Sequence, residues 1–207
     1  MGDFIGDVNQ GGPVNFKNVF LNPHGNGTHT ECVGHISSEP FTINQCLKEF
    51  HLPAVVVTVT PIKQGEDSVV TAKLLEDALP VHLQCKALVI RTVPNDNEKM
   101  TRNYSGTNPP FLDPDAMRWI NDAGFDHLLI DTPSVDKEQD GGTLSAHHIF
   151  WNYPQKPLLH KSISELVYVD NAIPDGQYFL FFQICSLESD ASPSKILLFA
   201  YEKGQIN

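Results

Sequence analysis

Five apolar runs of strand length constrain this chain most: "AVVVTV" (54–59), "KALVIRT" (86–92), "HLLID" (127–131), "YFLFFQI" (178–184) and "ILLFAY" (196–201). Segments of helical period lie between them, and that alternation points to an α/β arrangement rather than a bundle or a sandwich. With 207 residues, 41% of them hydrophobic, the chain can bury one substantial core, so a single domain over residues 1–207 is expected.

Four segments carry helix signals. "INQCLKEF" (43–50) is short, and "DSVVTAKLLEDAL" (67–79) has carboxylates near its start. "DPDAMRWINDAG" (113–124) has Asp113 as N-cap, Pro114 at the first helical position and Gly124 as a stop. "TLSAHHIFW" (143–151) reads as a helix opened by Thr143. Its two histidines point about 100° apart, so only one of them can face a given site. Two stretches rich in Pro, Asn, Asp and Gly, 94–110 and 133–142, are too long for idle loops in a compact domain.

The net charge of −11, from 25 acidic and 14 basic residues, argues against nucleic acid as a partner. No leader-like or membrane-spanning apolar stretch is present, and the four cysteines (Cys32, Cys46, Cys85, Cys185) form no C-x-x-C pair. A soluble, cytoplasmic protein with reduced thiols is the expectation.

The chemistry concentrates in "HGNGTHTECVGH", residues 24–35. In an extended segment His29 and Glu31 share a face, and His35 follows on the same parity. Gly25 and Gly27 would let His24 swing back towards them. Imidazole and carboxylate together suit zinc, manganese or iron(II). The alternative is a solvated polar loop whose histidines only hydrogen-bond. A phosphate-cradling loop is the weaker reading, since no Lys and Ser/Thr follow "GNG". Cys32, on the opposite face from Glu31, reads as packing. His51, His82, His127 and His160 have no ligand-like company.

This segment resembles the signature H-x-G-T-H-x-D-x-P-x-H of the putative cyclase family, which includes bacterial kynurenine formamidases and isatin hydrolases. Gly27, Thr28, His29 and His35 stand in register with it. Glu31 replaces the family's Asp, Val33 replaces its Pro, and His24 lies five residues before His29 instead of four. Later blocks resemble the family in the same order: "HLLIDTPSVD" (127–136), "SAHHIFW" (145–151), "SISELVYV" (162–169) and the closing strands.

The resemblance implies a swivelling β/β/α fold and a metal-dependent hydrolase of the arylformamidase type, cleaving an N-formyl or cyclic amide bond. It implies His24, His29, Glu31, His147 and Glu165 as metal ligands, with His148 the rival to His147, and His35 as general acid/base. The metal implied is zinc or manganese, as one ion or two, and the implied assembly is a homo-oligomer acting on a small molecule. Asp131 and Asp136 read as caps of a turn around Pro133. Walls of a pocket are expected from 103–111 and 152–157. The two competing readings are a cyclase or lyase using the same metal, and a binding protein that keeps only the fold.

Overall fold

A computed structural model describes residues 4–25, 27–79 and 84–201. Ten strands follow in chain order: β1 (His29–Glu31), β2 (His51–Val59), β3 (Ile62–Gln64), β4 (Asp67–Val70), β5 (Ala87–Thr92), β6 (Phe111–Leu112), β7 (His127–Ile130), β8 (Ser162–Glu165), β9 (Gly176–Ile184) and β10 (Ala191–Ala200). Four α-helices join them: α1 (Ile43–Cys46), α2 (Ala72–Ala78), α3 (Pro114–Asp122) and α4 (Ser145–Trp151). All five expected strands are present, in the α/β arrangement expected.

Seven strands close a barrel in the order β1-β10-β9-β2-β5-β7-β8, and β3, β4 and β6 form a small separate sheet. β2, β5, β7 and β8 run parallel, while β9, β10 and β1 alternate antiparallel. Of the parallel strands, β2, β5 and β7 carry continuous apolar runs because both their faces are covered. Inward residues such as Val56, Val89, Leu129 and Leu180 fill the barrel. Outward residues such as Val57, Ile90, Ile130 and Ile163 pack with Leu75, Met117 and Phe150 of the helices.

Two local expectations need correction. Residues 67–79 are not one helix: Val69 and Val70 belong to β4, paired with β3 and β6, and the helix begins only at Ala72. Two adjacent β-branched residues favour the pleated half-buried strand, and this pairing overrides the helical period. α4 is not capped by Thr143, whose hydroxyl donates to Asp140 O; Leu144, in a left-handed conformation at φ 47°, precedes the helix. β8, within the 162–169 block, ends at Glu165, because Leu166 turns left-handed at φ 55°.

α3 agrees with its signals: Asp113 accepts from Ala116 N at 2.7 Å, and Pro114 opens the helix. The four cysteines are unpaired, three of them buried and Cys185 exposed. Among the described residues no helix is long and apolar enough to cross a membrane. His82 lies outside the described residues.

Candidate metal centre

The barrel closes where β1 meets β8, with His29 opposite Glu165 and Glu31 opposite Ile163. Opposed residues in an antiparallel pair share a face. Ile163 belongs to the layer beneath the helices, so His29, Glu31 and Glu165 stand between the barrel wall and α4. Thr30 points the other way, to Ser164 and Ser194 inside the barrel. This is the alternation of β1 expected from the sequence.

The strand stops after Glu31, so His35 does not arrive by parity. A single 3-10 turn, Val33–His35, brings it back, with His35 Nε2 3.9 Å from Glu31 Oε2. That turn needs glycine at 34, since a Cβ there would sit 2.0 Å from the Phe41 carbonyl oxygen. His24, on the turn Pro23–Gly25, places Nδ1 3.0 Å from Glu31 Oε2. The extra residue between His24 and His29 therefore does not remove His24 from the cluster.

α4 contributes His147, whose Nε2 is 3.1 Å from Glu31 Oε1 and 3.9 Å from Glu165 Oε1. His148 is turned away, to the carbonyl of Tyr153. Helix geometry allowed only one of the pair to face inward, and the packing of α4 selects His147. Glu165 lies 3.3 Å from His29 Nε2, and its Oε1 also accepts from Val135 N.

Two carboxylates absent from the expected set hold this group in place. Asp190, immediately before β10, accepts from His24 Nε2 at 2.7 Å and approaches His35 Nδ1 at 3.5 Å. No signal in the sequence marks it. Asp136 does not cap a turn around Pro133. Its Oδ1 accepts from Ala146 N at 2.7 Å, and its Oδ2 accepts from His147 N at 3.1 Å and His147 Nδ1 at 2.6 Å. Asp136 thus caps α4 and orients its inward histidine. Asp131 pairs with the buried Lys99 and accepts from Thr92, without contact to the cluster.

The electrostatics ask for positive charge. Burial lowers the affinity of these imidazoles for a proton, but the neighbouring carboxylates more than reverse it. His24 is raised to about 9 by Glu31 and Asp190, and His147 to about 10 by Asp136, Glu31 and Glu165. Glu31, fully buried, is held well below the usual carboxylate range by His147 and His24, against the opposing effect of burial. His29 Nδ1 donates to Gly27 O at 2.9 Å, which aims Nε2 at the carboxylates of Glu165 and Glu31.

His29 Nε2 and Glu31 Oε2 are both buried and neither makes a well-aligned hydrogen bond, although Glu165 lies 3.3 Å from the first and His24 Nδ1 3.0 Å from the second. Buried polar atoms left without hydrogen bonds are costly unless a cation meets them. The donor atoms of His24, His29 and Glu31 lie within 4.8 Å of one another, as do those of Glu31, His35 and His147 and those of His24, His35 and Asp190. The nitrogen and oxygen donor set fits a divalent transition metal.

A cavity of about 1040 Å³ opens beside the cluster, lined by His24, Asp136, Tyr104, Leu166 and Ile196 among others. The loop residues Asn103, Tyr104, Ser105 and Pro109 wall it, as expected. Residues 152–157 do not line it; Asn152 and Tyr153 instead bond to the end of α4. Cys32 is fully buried beside the cluster, its thiol pushed up by the neighbouring Cys46 thiol and by burial, which makes it a packing residue. His127 bonds Ser162 Oγ, His160 faces Asp126, and His51 stacks on Phe181. None of these three reaches the cluster.

The sequence profile of the family described as "Putative cyclase" matches residues 4–137, more than half of the chain. The chain belongs to the putative cyclase family. Within the family match lie His24, His29, Glu31 and His35; His147 and Glu165 lie beyond it. No curated protein matches the chain.

Among solved structures, one described as a potential metal-dependent hydrolase with cyclase activity is 19% identical, with a TM-score of 0.70 over 89% of this chain and 83% of that one. Isatin hydrolase A from Labrenzia aggregata, bound to benzyl benzoate, is 17% identical, with a TM-score of 0.65 over 88% of this chain and 75% of that one. A novel cyclase is 13% identical, with a TM-score of 0.67 over 91% of this chain and 74% of that one. At such identities the likeness is one of fold, and it agrees with the cyclase-like α/β arrangement expected.

Proposed function

We propose that this member of the family is a metal-dependent hydrolase of an amide-type bond, an N-formyl group or a cyclic amide, in a small molecule. The observation that carries the reading is the pair of buried atoms His29 Nε2 and Glu31 Oε2, neither of them hydrogen-bonded, inside a ring of imidazoles and carboxylates. The fold relatives described as a metal-dependent hydrolase and as isatin hydrolase support the reaction class. The adjoining cavity, about 1040 Å³, has room for a small substrate.

His24, His29 and Glu31 would hold one divalent ion, zinc or manganese. His147 and Glu165 would complete that site or hold a second ion. Glu31 can serve both groups, since its Oε2 faces His24 and His29 while its Oε1 faces His147. Such an ion, when bound, supplies a Lewis acid that polarises a carbonyl and lowers the pKa of a coordinated water towards ~7.

The remaining work belongs to side chains of this chain. His35 is partly exposed, stacks on His24 with ring centroids 4.2 Å apart, and keeps Nε2 directed at the cluster. It acts as general base on the attacking water and returns the proton to the leaving nitrogen, a role suited to imidazole near neutral pH. Asp190 orients His24 and His35, and Asp136 orients His147. Burial of Glu31 and His29 excludes bulk water from the back of the site.

Elemental analysis of protein purified without chelator tests the metal: a stoichiometric transition metal is expected, absent in His29→Ala. A mass-resolved assay on a formanilide and isatin-type panel tests the reaction: product mass should rise by one water, with His35→Ala slowed by ~10²–10⁴-fold. A metal-free native protein, or equal rates for His35→Ala, would contradict the reading.

A further inference from the structure

His24 and His35 lie face to face, with ring centroids 4.2 Å apart and planes 28° from parallel, and each ring spans two carboxylates. Their inner nitrogens face Glu31 Oε2, His24 Nδ1 at 3.0 Å and His35 Nε2 at 3.9 Å. Their outer nitrogens converge on Asp190 Oδ2, His24 Nε2 at 2.7 Å and His35 Nδ1 at 3.5 Å. Donor atoms of His24, His35 and Asp190 lie within 4.8 Å of one another. Exposure separates the two ends: the Glu31 side chain is fully buried, whereas those of His24, His35 and Asp190 are 25%, 29% and 32% exposed.

Backbone contacts hold the outer donors in place. The Asp190 carbonyl accepts from Cys32 N at 3.0 Å, and Ser189 Oγ donates to Asp190 Oδ1 at 2.9 Å, which leaves Oδ2 to the two imidazoles. His35 rides on the Val33–His35 turn, where a Cβ on Gly34 would lie 3.2 Å from Asp190 Cβ, so this turn is packed directly on Asp190. His24 rides on Pro23–Gly25, which is tied by His24 N to Asn22 Oδ1 at 3.1 Å and packs on β10. Donors fixed in advance cost little to order when a ligand arrives. Two imidazole nitrogens and one carboxylate oxygen, open on one side to solvent, form a three-ligand set that zinc takes with water in its fourth position.

We propose that His24 Nε2, His35 Nδ1 and Asp190 Oδ2 form an outer zinc site at the mouth of the buried cluster, and that zinc bound there stops hydrolysis. The outer site shares only His24 with the ligand set of the buried cluster, and it uses the other nitrogen of that ring. Zinc takes the place of the proton that His24 Nε2 donates to Asp190 and releases it to solvent, so this site is the weaker one. Binding stands on this geometry alone, whereas the effect on hydrolysis rests on the reading of His35 as general base. A dication on His35 Nδ1 draws electron density from the ring, so Nε2 no longer takes a proton from water near neutral pH.

Equilibrium dialysis against zinc chloride, read by elemental analysis, tests the site on protein carrying its tightly held metal. As free zinc rises, the wild type should take up one equivalent beyond that complement. His35→Ala, at a partly exposed position, should keep the tight metal and lose the extra equivalent; Asp190→Ala should lose the extra equivalent as well, with far-UV circular dichroism to verify folding. His29→Ala should do the reverse, losing tight metal and keeping the outer ion. Hydrolysis of the formanilide and isatin-type panel should fall along the same zinc curve and return when citrate removes the outer ion. Diethyl pyrocarbonate, which acylates an unprotonated imidazole nitrogen, reports on the base itself. Its modification of His35, located by peptide mass, should be suppressed along that curve whether or not the panel is hydrolysed. Equal zinc uptake by the wild type and His35→Ala overturns the site, an outcome separate from any failure of the panel. Hydrolysis that persists at full outer occupancy, or His35 acylated as fast with the outer ion as without it, overturns the switch.

Discussion

His24 donates from Nε2 to Asp190 Oδ2 at 2.7 Å, and this bond turns its other nitrogen, Nδ1, onto Glu31 at 3.0 Å. A carboxylate behind a ligating imidazole fixes its tautomer and ring orientation, and losing that partner typically weakens metal binding by ~10–100-fold. Asp190→Asn should therefore lose zinc or manganese affinity in that range by calorimetric titration, with the fold intact. Unchanged affinity would mean that His24 is held by something else.

Asp136 has two duties, as the acceptor for the first amides of α4, Ala146 N and His147 N, and as the partner of His147 Nδ1. Asp136→Ala should cost ~0.5–2 kcal/mol for the cap in urea unfolding, and should also weaken metal binding. Asp136→Asn keeps one acceptor oxygen, so it should recover most of the stability. If Asn restores metal affinity as fully as it restores stability, orientation by charge is not what Asp136 contributes.

Lys99 reaches from the 94–110 stretch to Asp131 at 2.7 Å, with both side chains almost wholly buried. It also donates to the Thr92 carbonyl, and so ties a wall of the cavity to the end of β5. Burial raises the pKa of Asp131 in spite of this partner. Removing one member of a buried pair costs ~3–5 kcal/mol, because the other charge is left without compensation. Lys99→Met should show a loss of that size by chemical denaturation, while Lys99→Met with Asp131→Leu should lose much less.

His127, buried beside Ser162, has its pKa lowered to about 4 by burial. Unfolding returns it to ~6.5, so between these values the unfolded chain binds the extra proton and the folded one does not. The stability contributed by neutral His127 is present above pH ~6.5 and is lost as pH falls towards about 4. Urea unfolding at successive pH values should show a steeper acid loss for the wild type than for His127→Phe, by at most ~3 kcal/mol in total. Parallel curves would show that His127 does not carry this dependence.

Much of the architecture was legible because period and burial speak locally. Runs such as "AVVVTV" are apolar on both faces, as strands covered on both sides must be, and all five became barrel strands. Local signals misled where pairing overrode them. Val69 and Val70 sit in a helical pattern yet pair as a strand, and Leu166 interrupts an apolar run with a left-handed turn. The small sheet of β3, β4 and β6 joins segments some forty residues apart, a relation that no window of sequence contains.

The same division runs through the metal centre. By itself the sequence determined the ingredients of the short stretch: His29 and Glu31 two apart on one strand face, with His24 able to swing back through glycines, because chemistry within a dozen residues is governed by backbone geometry; the 3-10 turn that returns His35 was not among them. Tertiary structure alone decided which of His147 and His148 faces inward, that Glu165 lies opposite His29 across the β1–β8 seam, and that Asp190 and Asp136 stand behind the imidazoles. Those partners lie 11 to 166 residues away along the chain; the loop into α4 folds Asp136 onto His147, while closure of the barrel brings Glu165 and Asp190 to the β1 cluster.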